Sequence, residues 1–327
     1  MKKFVTILLT LMLCVFGLTS VVGCKDNDGG DDNTLYVYTP DGAPALAMSK
    51  LLNDNNQFGL EIDYSVVASS NISNYIINKS ADIAVVPVNM ASKILGNNYK
   101  IIATVTNGNL YIVGNVEANS LADLTNEVVG VIGQGNVPDL NLKYLLSSNS
   151  IEYVASDVAV PNKVALRYFA DAGTLIPMLK NNQMSFGLLP EPAVSKLIGM
   201  ANNFSIKLNI QSLWESGAYP QAVIVAKTEL VNNNSELIES MIEELEENEQ
   251  WAVDNPVLAV NAVNAHLEKG VSASLQNTIS SSAIQNCNID VISAKNDGEK
   301  QRIIAYWEKI KTVNANAIGE YSESLFW

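Results

Sequence analysis

Few residues of this chain could carry out covalent or metal chemistry. Its 327 residues include one histidine, His266, and three cysteines, Cys14, Cys24 and Cys287. A zinc enzyme or a histidine-dependent triad needs more imidazole and thiolate groups than this, and three cysteines are too few for a disulfide framework. Short loops rich in Asp, Ser, Asn and Gln offer hydrogen bonds instead. We therefore predict a binding protein that is not an enzyme and has no cofactor and no metal.

These polar loops follow predicted strands and precede predicted helices. In doubly wound sheets ligands bind beyond the carboxyl ends of the strands, and the unpaired N–H groups at helix starts make such turns hydrogen-bonding surfaces. We predict that these loops bind a small ligand. The candidate residues are Asp41, Gly42, Ala43, Ser69, Ser70, Asn71, Val88, Asn89, Asn107, Gly108, Gly133, Gln134, Gly135, Asn136, Glu191 and Tyr219.

Several candidates also have a purely structural interpretation. The three that could instead be helix caps are Asp41, Ser69 and Ser70. Asn107-Gly108 could be only a turn, and Glu191, between two prolines, could be only a cap. Gly133-Gln134-Gly135 begins like a dinucleotide-binding fingerprint, but Pro138 occupies the place of the third glycine. Nucleotide binding is therefore not expected at this loop.

Charge narrows the class of ligand. The formal net charge is −14, which argues against nucleic acid as a partner. None of the candidate loops contains Lys, Arg or His, whereas Asp41 and Glu191 are expected to flank the site from opposite sides. A neutral or partly cationic polar molecule fits such a site better than an anion. Tyr38, Trp214 and Tyr219 could form an aromatic wall, or could belong to the core.

The first residues have the composition of a targeting segment. Lys2 and Lys3 precede an uncharged apolar run over residues 4–22, which ends at Gly23-Cys24. The small residue before Cys24 resembles the bacterial lipobox, in which the Cys thiol is lipidated. We predict a signal peptide over residues 1–23, lipidation of Cys24 and a polar tether over residues 24–34. An uncleaved membrane anchor is the alternative.

The rest of the chain alternates between predicted strands and helices. Predicted strands cover residues 35–39, 60–67, 82–86, 100–106, 128–132, 163–169, 186–189 and 221–226. Helices are expected over residues 45–52, 90–95 and 172–180. Two more are expected to end at residues 77 and 146, and two to begin after residue 192 and at residue 235. Continuous apolar strands separated by helices predict an α/β fold with a parallel sheet covered on both faces. Cys287 is expected to be a small core residue.

Five segments in a fixed order carry a family resemblance. They are Tyr38-Thr39-Pro40-Asp41-Gly42-Ala43-Pro44-Ala45, Ala81-Asp82-Ile83-Ala84, Leu121-Ala122-Asp123-Leu124 before Gly130-Val131-Ile132-Gly133, Gly187-Leu188-Leu189-Pro190-Glu191-Pro192, and Tyr219-Pro220-Gln221-Ala222-Val223. The set resembles the substrate-binding lipoproteins of ABC transporters, in the class that binds nitrate, sulfonates, taurine or thiamine precursors. The resemblance covers residues 35–327.

The resemblance implies a type II periplasmic-binding-protein fold. Two doubly wound lobes would be joined by a two-stranded hinge, with lobe 1 over 35–114 and 222–327, lobe 2 over 115–221, and the ligand cleft between them. It implies a monomer that is exported, lipid-anchored at the outer face of the cell membrane, and delivers its solute to an ABC permease. Two alternatives remain: a sensory lipoprotein that presents a ligand-dependent surface, and an enzyme on the same fold, as in menaquinone-pathway and thiamine-pyrimidine synthases.

Overall fold

The structure is a computed structural model that describes residues 34–56 and 58–327. The predicted signal peptide, Cys24 and the tether up to residue 33 lie outside the described residues. Thr34, the last residue of the predicted tether, is the first residue of a strand. Residues 35–327 form one compact unit. None of the helices in the described part of the chain is long and apolar enough to cross a membrane.

Each of the eight predicted strands is present, with ends that differ from the predicted ones by at most one residue. In chain order they are β1 (Thr34–Pro40), β2 (Glu61–Val67), β3 (Ile83–Pro87), β4 (Tyr99–Asn107), β5 (Leu110–Gly114), β6 (Val128–Ile132), β7 (Tyr153–Ala155), β8 (Val164–Phe169), β9 (Phe186–Pro190), β10 (Ser205–Asn209), β11 (Pro220–Lys227) and β12 (Ile289–Ser293). The sequence did not predict β5, β7, β10 or β12.

Helices connect most of these strands. They are α1 (Ala43–Leu46), α2 (Ser49–Asp54), α3 (Ile72–Ile77), α4 (Val88–Ile94), α5 (Val137–Ser148), α6 (Ala172–Lys180), α7 (Ala193–Met200), α8 (Thr228–Asn233), α9 (Ser235–Asp254), α10 (Pro256–Ala265), α11 (Ser281–Gln285) and α12 (Asp297–Lys311). The single helix predicted over 45–52 is two helices, α1 and α2. Cys287 is fully buried, as expected of a core residue, and burial raises the pKa of its thiol.

Two six-stranded sheets form the framework, which confirms the predicted α/β class. Their strand orders are β12-β4-β11-β3-β1-β2 and β10-β5-β9-β6-β8-β7. The prediction of parallel sheets is wrong, because both sheets are mixed. β11 runs antiparallel to both β3 and β4, and β5 runs antiparallel to both β9 and β10. Antiparallel strands that are buried on both faces are continuous apolar runs too, so the sequence pattern did not reveal their direction.

The chain passes between the two sheets twice. It leaves the first sheet after β4 through Gly108-Asn109, and it returns from β10 to β11 through residues 210–219. The two passages are bonded to each other: the Gly108 N–H donates to the Tyr219 carbonyl at 2.8 Å. A Cβ at Gly108 would collide with the ring of Tyr219, so only glycine fits this close approach. Residues 110–114, which we expected at the end of lobe 1, form β5 and pair within the second sheet.

Candidate functional site

The carboxyl ends of three strands meet at one edge of the first sheet. β1 is parallel to β3, and β11 lies antiparallel between β3 and β4, so β1, β3 and β4 all point the same way. Pro220, at the start of β11, pairs with Asn107 at the end of β4. The topology therefore brings Asp41, Asn89 and Asn107 to the same edge as Tyr219. We refer to it as the ligand edge.

Five of the ten buried side-chain atoms that have no hydrogen-bond partner in the described residues lie at this edge. Within the described residues, no hydrogen-bond partner reaches the following fully buried side-chain atoms: Thr39 Oγ1, Asp41 Oδ1, Asn89 Oδ1, Thr106 Oγ1 and the Tyr219 hydroxyl. Most buried polar groups in folded proteins are hydrogen-bonded, since leaving one unpaired costs about 1–3 kcal/mol. A set of such atoms at the carboxyl ends of adjacent strands is the arrangement expected of a small-molecule site.

Asp41 lies in the turn between β1 and α1, and it does not cap the helix. Gly42 holds the N-cap position at φ 108°, and no side chain caps α1. The Asp41 N–H donates to the Val67 carbonyl at 3.0 Å, which ties the turn to β2. Its Oδ2 accepts from the Ser274 N–H at 2.8 Å, while Oδ1 is buried and unpartnered. The helix-cap interpretation of Asp41 is therefore wrong. Ala43 is buried at the start of α1.

The turn after β3 begins α4 directly. Val88 is fully buried, and its carbonyl accepts from the Trp307 indole N–H at 2.8 Å. Asn89 is buried in the first turn of α4, and its Oδ1 has no partner. Asn89 therefore offers an unpaired acceptor oxygen at the ligand edge.

The side-chain amide of Asn107 is hydrogen-bonded to other residues of the protein. Its Oδ1 accepts from Arg302 Nη1 at 2.7 Å, and its Nδ2 donates to Asp290 Oδ2 at 2.7 Å. Arg302 also pairs with Glu299, with 2.7 Å between Nε and Oε2. Asn107 thus fixes the first passage between the sheets to β12 and α12, and both groups of its amide are occupied.

The loop before α3 is open to solvent. Ser69, Ser70 and Asn71 are exposed, and no side chain caps α3. The helix-cap interpretation of the two serines is wrong as well. One turn further on, Tyr75 stacks on Tyr38 with 4.1 Å between the ring centroids. This loop forms the outer part of the ligand edge.

The candidate loop of the second sheet joins β6 to α5. Gly133 and Gly135 have φ values of 62° and 78°, which favour glycine. Gln134 is exposed, and Asn136 is the N-cap residue without a side-chain capping bond. The Gly135 N–H donates to Asp139 Oδ2 at 2.8 Å. The loop therefore has a fixed shape and leaves the side chains of residues 134 and 136 available.

The Asp139 carboxylate that fixes this loop is itself held by two further groups. Lys143 Nζ lies 2.9 Å from Oδ2, and the Tyr168 hydroxyl donates to Oδ1 at 2.9 Å. Burial, together with the neighbouring Asp139 charge, raises the pKa of Tyr168 far above its ordinary value. Asp139 is fully buried and multiply bonded, so it is a structural acid.

Glu191, by contrast with Asp41, serves as a helix cap. Its side chain is 1% exposed; Oε2 accepts from the Ser195 N–H and Oε1 from the Ser195 hydroxyl, both at 3.0 Å. Ser195 is in the first turn of α7. Burial raises the pKa of Glu191, and the hydrogen bonds from Ser195 oppose that rise. The structural interpretation of Glu191 is the one that the geometry supports.

Tyr219 belongs to a buried aromatic cluster between the sheets. Its ring lies 5.1 Å from that of Trp214 and 5.9 Å from that of Tyr306, and Trp214 stacks on Tyr144 at 4.6 Å. Trp214 and Tyr219 are 4% and 1% exposed, so both are core residues. Burial raises the pKa of Tyr219 well above its ordinary value, which keeps the hydroxyl neutral and able to donate.

Three residues at the site were missed in the sequence. Thr39 is a polar position next to Asp41 in an apolar strand, which is a signal that could have been used. Ser274 lies 233 positions from its partner Asp41, and nothing in the sequence links the two. Lys196, one turn into α7, donates to the Ser274 carbonyl at 3.3 Å, so a cation does reach the site although the loops contain none.

Two other kinds of site would be a cavity away from the ligand edge and a cluster of metal-ligating side chains. A cavity of about 540 Å³ opens at the opposite edge of the first sheet and is lined by Lys79, Asn97, Asn98, Tyr99, Lys227, Thr228, Glu229, Asn232 and Asn233. It includes none of the candidate residues. Over residues 34–56 and 58–327 there is no group of three or more His, Cys, Asp or Glu side chains that could hold a metal ion.

Comparison with known proteins agrees with this architecture. The family model described as NMT1/THI5 like matches residues 56–259, which is more than half of the chain. No curated protein sequence matches. An ABC transporter structure from Parabacteroides distasonis has 19% identity, a TM-score of 0.73, and coverage of 90% of this chain and 99% of that one.

Two further solved structures share the fold at low sequence identity. The periplasmic aliphatic sulphonate binding protein SsuA from Escherichia coli has 9% identity and a TM-score of 0.65. The aligned region covers 90% of this chain and 92% of the SsuA chain. The ligand-binding component of an ABC-type import system from Staphylococcus aureus has 12% identity and a TM-score of 0.58, and covers 89% and 98%. The chain therefore belongs to the NMT1/THI5-like family and has the two-sheet fold of the periplasmic substrate-binding proteins.

Proposed function

We propose that this protein is an extracytoplasmic solute-binding lipoprotein that captures a small polar molecule and delivers it to an ABC importer. The observation that carries the proposal is the set of buried, unpartnered side-chain atoms at the ligand edge. Ligands of open α/β sheets generally bind beyond the carboxyl ends of the strands. An ABC transporter, a sulphonate-binding protein and a ligand-binding component of an import system are among the proteins that share the fold.

The two lobes of this receptor would correspond to the two sheets. We propose that lobe 2 begins with β5 and ends near Tyr219, and that the remainder of residues 35–327 forms lobe 1. The passages at Gly108-Asn109 and residues 210–219 would then be the hinge, and closing of the lobes would remove water from the cleft.

We propose that the solute presents at least one N–H or ammonium donor to Asp41. Its Oδ1 is a buried acceptor without a partner, and a donor there would satisfy it. Asn89, Thr39, Thr106 and Tyr219 would complete the inner surface. The exposed residues 69–71 and the 133–136 loop would form the rim.

Attachment to the membrane would come from Cys24. We expect the Cys24 thiol to be lipidated and Cys24 to become the first residue of the mature chain. We expect no acylation in the Cys24→Ser variant, which should leave the membrane fraction. Metabolic labelling with a fatty acid measures this, with Cys287→Ser as the control for nonspecific labelling. Fatty-acid label that persists in Cys24→Ser would contradict the anchor.

The binding function is tested by a thermal-shift screen of the mature chain carrying Cys24→Ser. The panel contains amines, amino acids, pyrimidines, sulfonates and nitrate. A solute that binds only the folded state raises the melting temperature, by an amount that grows with its concentration. We expect a hit among the amines, amino acids or neutral heterocycles. A screen in which only sulfonates or nitrate stabilise the protein would overturn the proposed ligand class, and a screen without any hit would count against a receptor for small solutes.

A further inference from the structure

An extended segment lies across the ligand edge. Residues 268–280, between α10 and α11, contain no helix or strand, and we name them the strap. At its start, the Glu268 N–H donates to the Val66 carbonyl at 2.8 Å, and Glu268 Oε1 accepts from the Tyr75 hydroxyl at 2.7 Å. Leu275 is buried in the core of the first sheet. The strap is therefore attached to β2 and α3, the two elements that flank the candidate loop at residues 69–71.

One residue of the strap is bonded to both sides of the molecule. The Ser274 N–H donates to Asp41 Oδ2 at 2.8 Å, and the Ser274 carbonyl accepts from Lys196 Nζ at 3.3 Å. Asp41 follows a strand of the first sheet, whereas Lys196 is on α7, which packs on the second sheet. The backbone of a single residue thus joins the candidate ligand carboxylate to the opposite half of the fold.

We propose that the strap is a gate over the ligand site and that Lys196 holds it shut from the opposite lobe. This inference rests on the proposed binding function. Lys196 moves with the second sheet, so its bond to Ser274 exists only when the two lobes are this close. Opening of the lobes would break that bond and leave Ser274 bonded to Asp41 alone. Lobe opening and release of the strap would be coupled in this way.

The two carboxylate oxygens of Asp41 differ in their hydrogen bonds. Oδ2 is used by the strap, and Oδ1 is buried without a partner. A solute donor can therefore bind Oδ1 while the strap stays in place. The bound solute would sit beneath the closed strap, and its escape would require the Ser274 bonds to break first.

Hydrogen–deuterium exchange of the mature chain carrying Cys24→Ser, without added solute, tests the coupling. We expect Lys196→Met to speed hydrogen–deuterium exchange of the strap amides about three- to fivefold, because it removes one exposed charge-assisted hydrogen bond. Lys196→Arg, which keeps a donor, should exchange like the parent. Lys180→Met, at an exposed position in the same lobe, is the matched control. Exchange in Lys196→Met equal to that of the parent would overturn the gate.

A second pair of variants tests the other bond. Ser274→Pro removes the N–H that binds Asp41, whereas Ser272→Pro is a proline two positions earlier in the same exposed segment. We expect Ser274→Pro to expose the Lys269–Gly270 bond to trypsin at least as strongly as Lys196→Met, and Ser272→Pro to be cut at the parent rate. Equal trypsin cleavage rates in the parent and in the Lys196→Met, Ser274→Pro and Ser272→Pro variants would refute the gate. Because no solute is present, these results are independent of the binding screen.

Discussion

The turns after β1 and after β9 look alike in the sequence and differ in the structure. Each has a proline and then an acid, Pro40-Asp41 and Pro190-Glu191, immediately before the N-cap residue of a helix. Glu191 reaches forward to Ser195 and satisfies both of its oxygens there. Asp41, one methylene shorter, caps nothing and keeps one buried oxygen free. In this pair the longer side chain reaches the first turn of its helix, whereas the shorter one leaves a buried acceptor oxygen without a partner.

The largest effect that follows concerns Asp41. We expect Asp41→Asn to lower solute affinity about ten- to a hundredfold, because it removes a charge-assisted hydrogen bond worth about 1.5–3 kcal/mol. Isothermal titration calorimetry with the solute identified by the thermal-shift screen measures this. The fold should be retained, since Asn can still accept from Ser274. The matched variant is Glu191→Gln, whose affinity should stay within about twofold of the parent. Equal losses in the two variants would remove the distinction between the turns.

A smaller effect concerns the cap of α7. Ser195→Ala removes the hydroxyl that donates to Glu191 Oε1, and it should lower the free energy of unfolding by about 1 kcal/mol. Urea denaturation at neutral pH measures the change. Ser147→Ala, at an exposed helical position of α5, corrects for the higher helix propensity of alanine. If the Ser195 and Ser147 variants were equally stable, the buried cap would contribute nothing.

The smallest effect is the pH dependence of Glu191. Burial raises its folded pKa above the ordinary value of 4.5, so the folded state favours the protonated acid. Its contribution to stability is greatest below that value and is lost as pH rises through the folded pKa. Glu191→Gln, which stays neutral, should therefore gain stability relative to the parent as pH rises from 4 to 8. The urea unfolding midpoints of the two proteins over that pH range measure this gain. A midpoint of Glu191→Gln that falls relative to that of the parent as pH rises would contradict the raised pKa.

The sequence was sufficient for elements with a clear pattern. The helix expected from residue 235 onward is α9. The three- and four-residue spacing of its apolar residues places Ile238, Met241, Ile242 and Leu245 in the core, and Leu237 is half-buried. β5 was not predicted although Leu110–Gly114 is apolar, because this run is short and follows Asn107-Gly108, a pair that is typical of turns. The reversed direction of β11 could not be read, since a buried central strand has the same composition in either direction.

The site was only partly predictable for a similar reason. The ligand edge follows from strand order, so Asp41 and Asn89 could be named from loops alone. The bonds that decide their roles join residues far apart in the chain, such as Ser274 to Asp41 and Arg302 to Asn107. The Glu191 cap is the exception, because its partner is four residues away.

The double passage between the sheets also constrains how the chain can fold. β11 is an inner strand of the first sheet, between β3 and β4, yet it comes after every strand of the second sheet. A growing chain that ends at residue 219 can pair all of β5 to β10, but β3 and β4 still lack the strand that joins them. The first sheet, and with it the ligand edge, can be completed only after the second sheet has been synthesised. We therefore expect the second sheet to gain protection first during refolding, since its contacts close shorter loops.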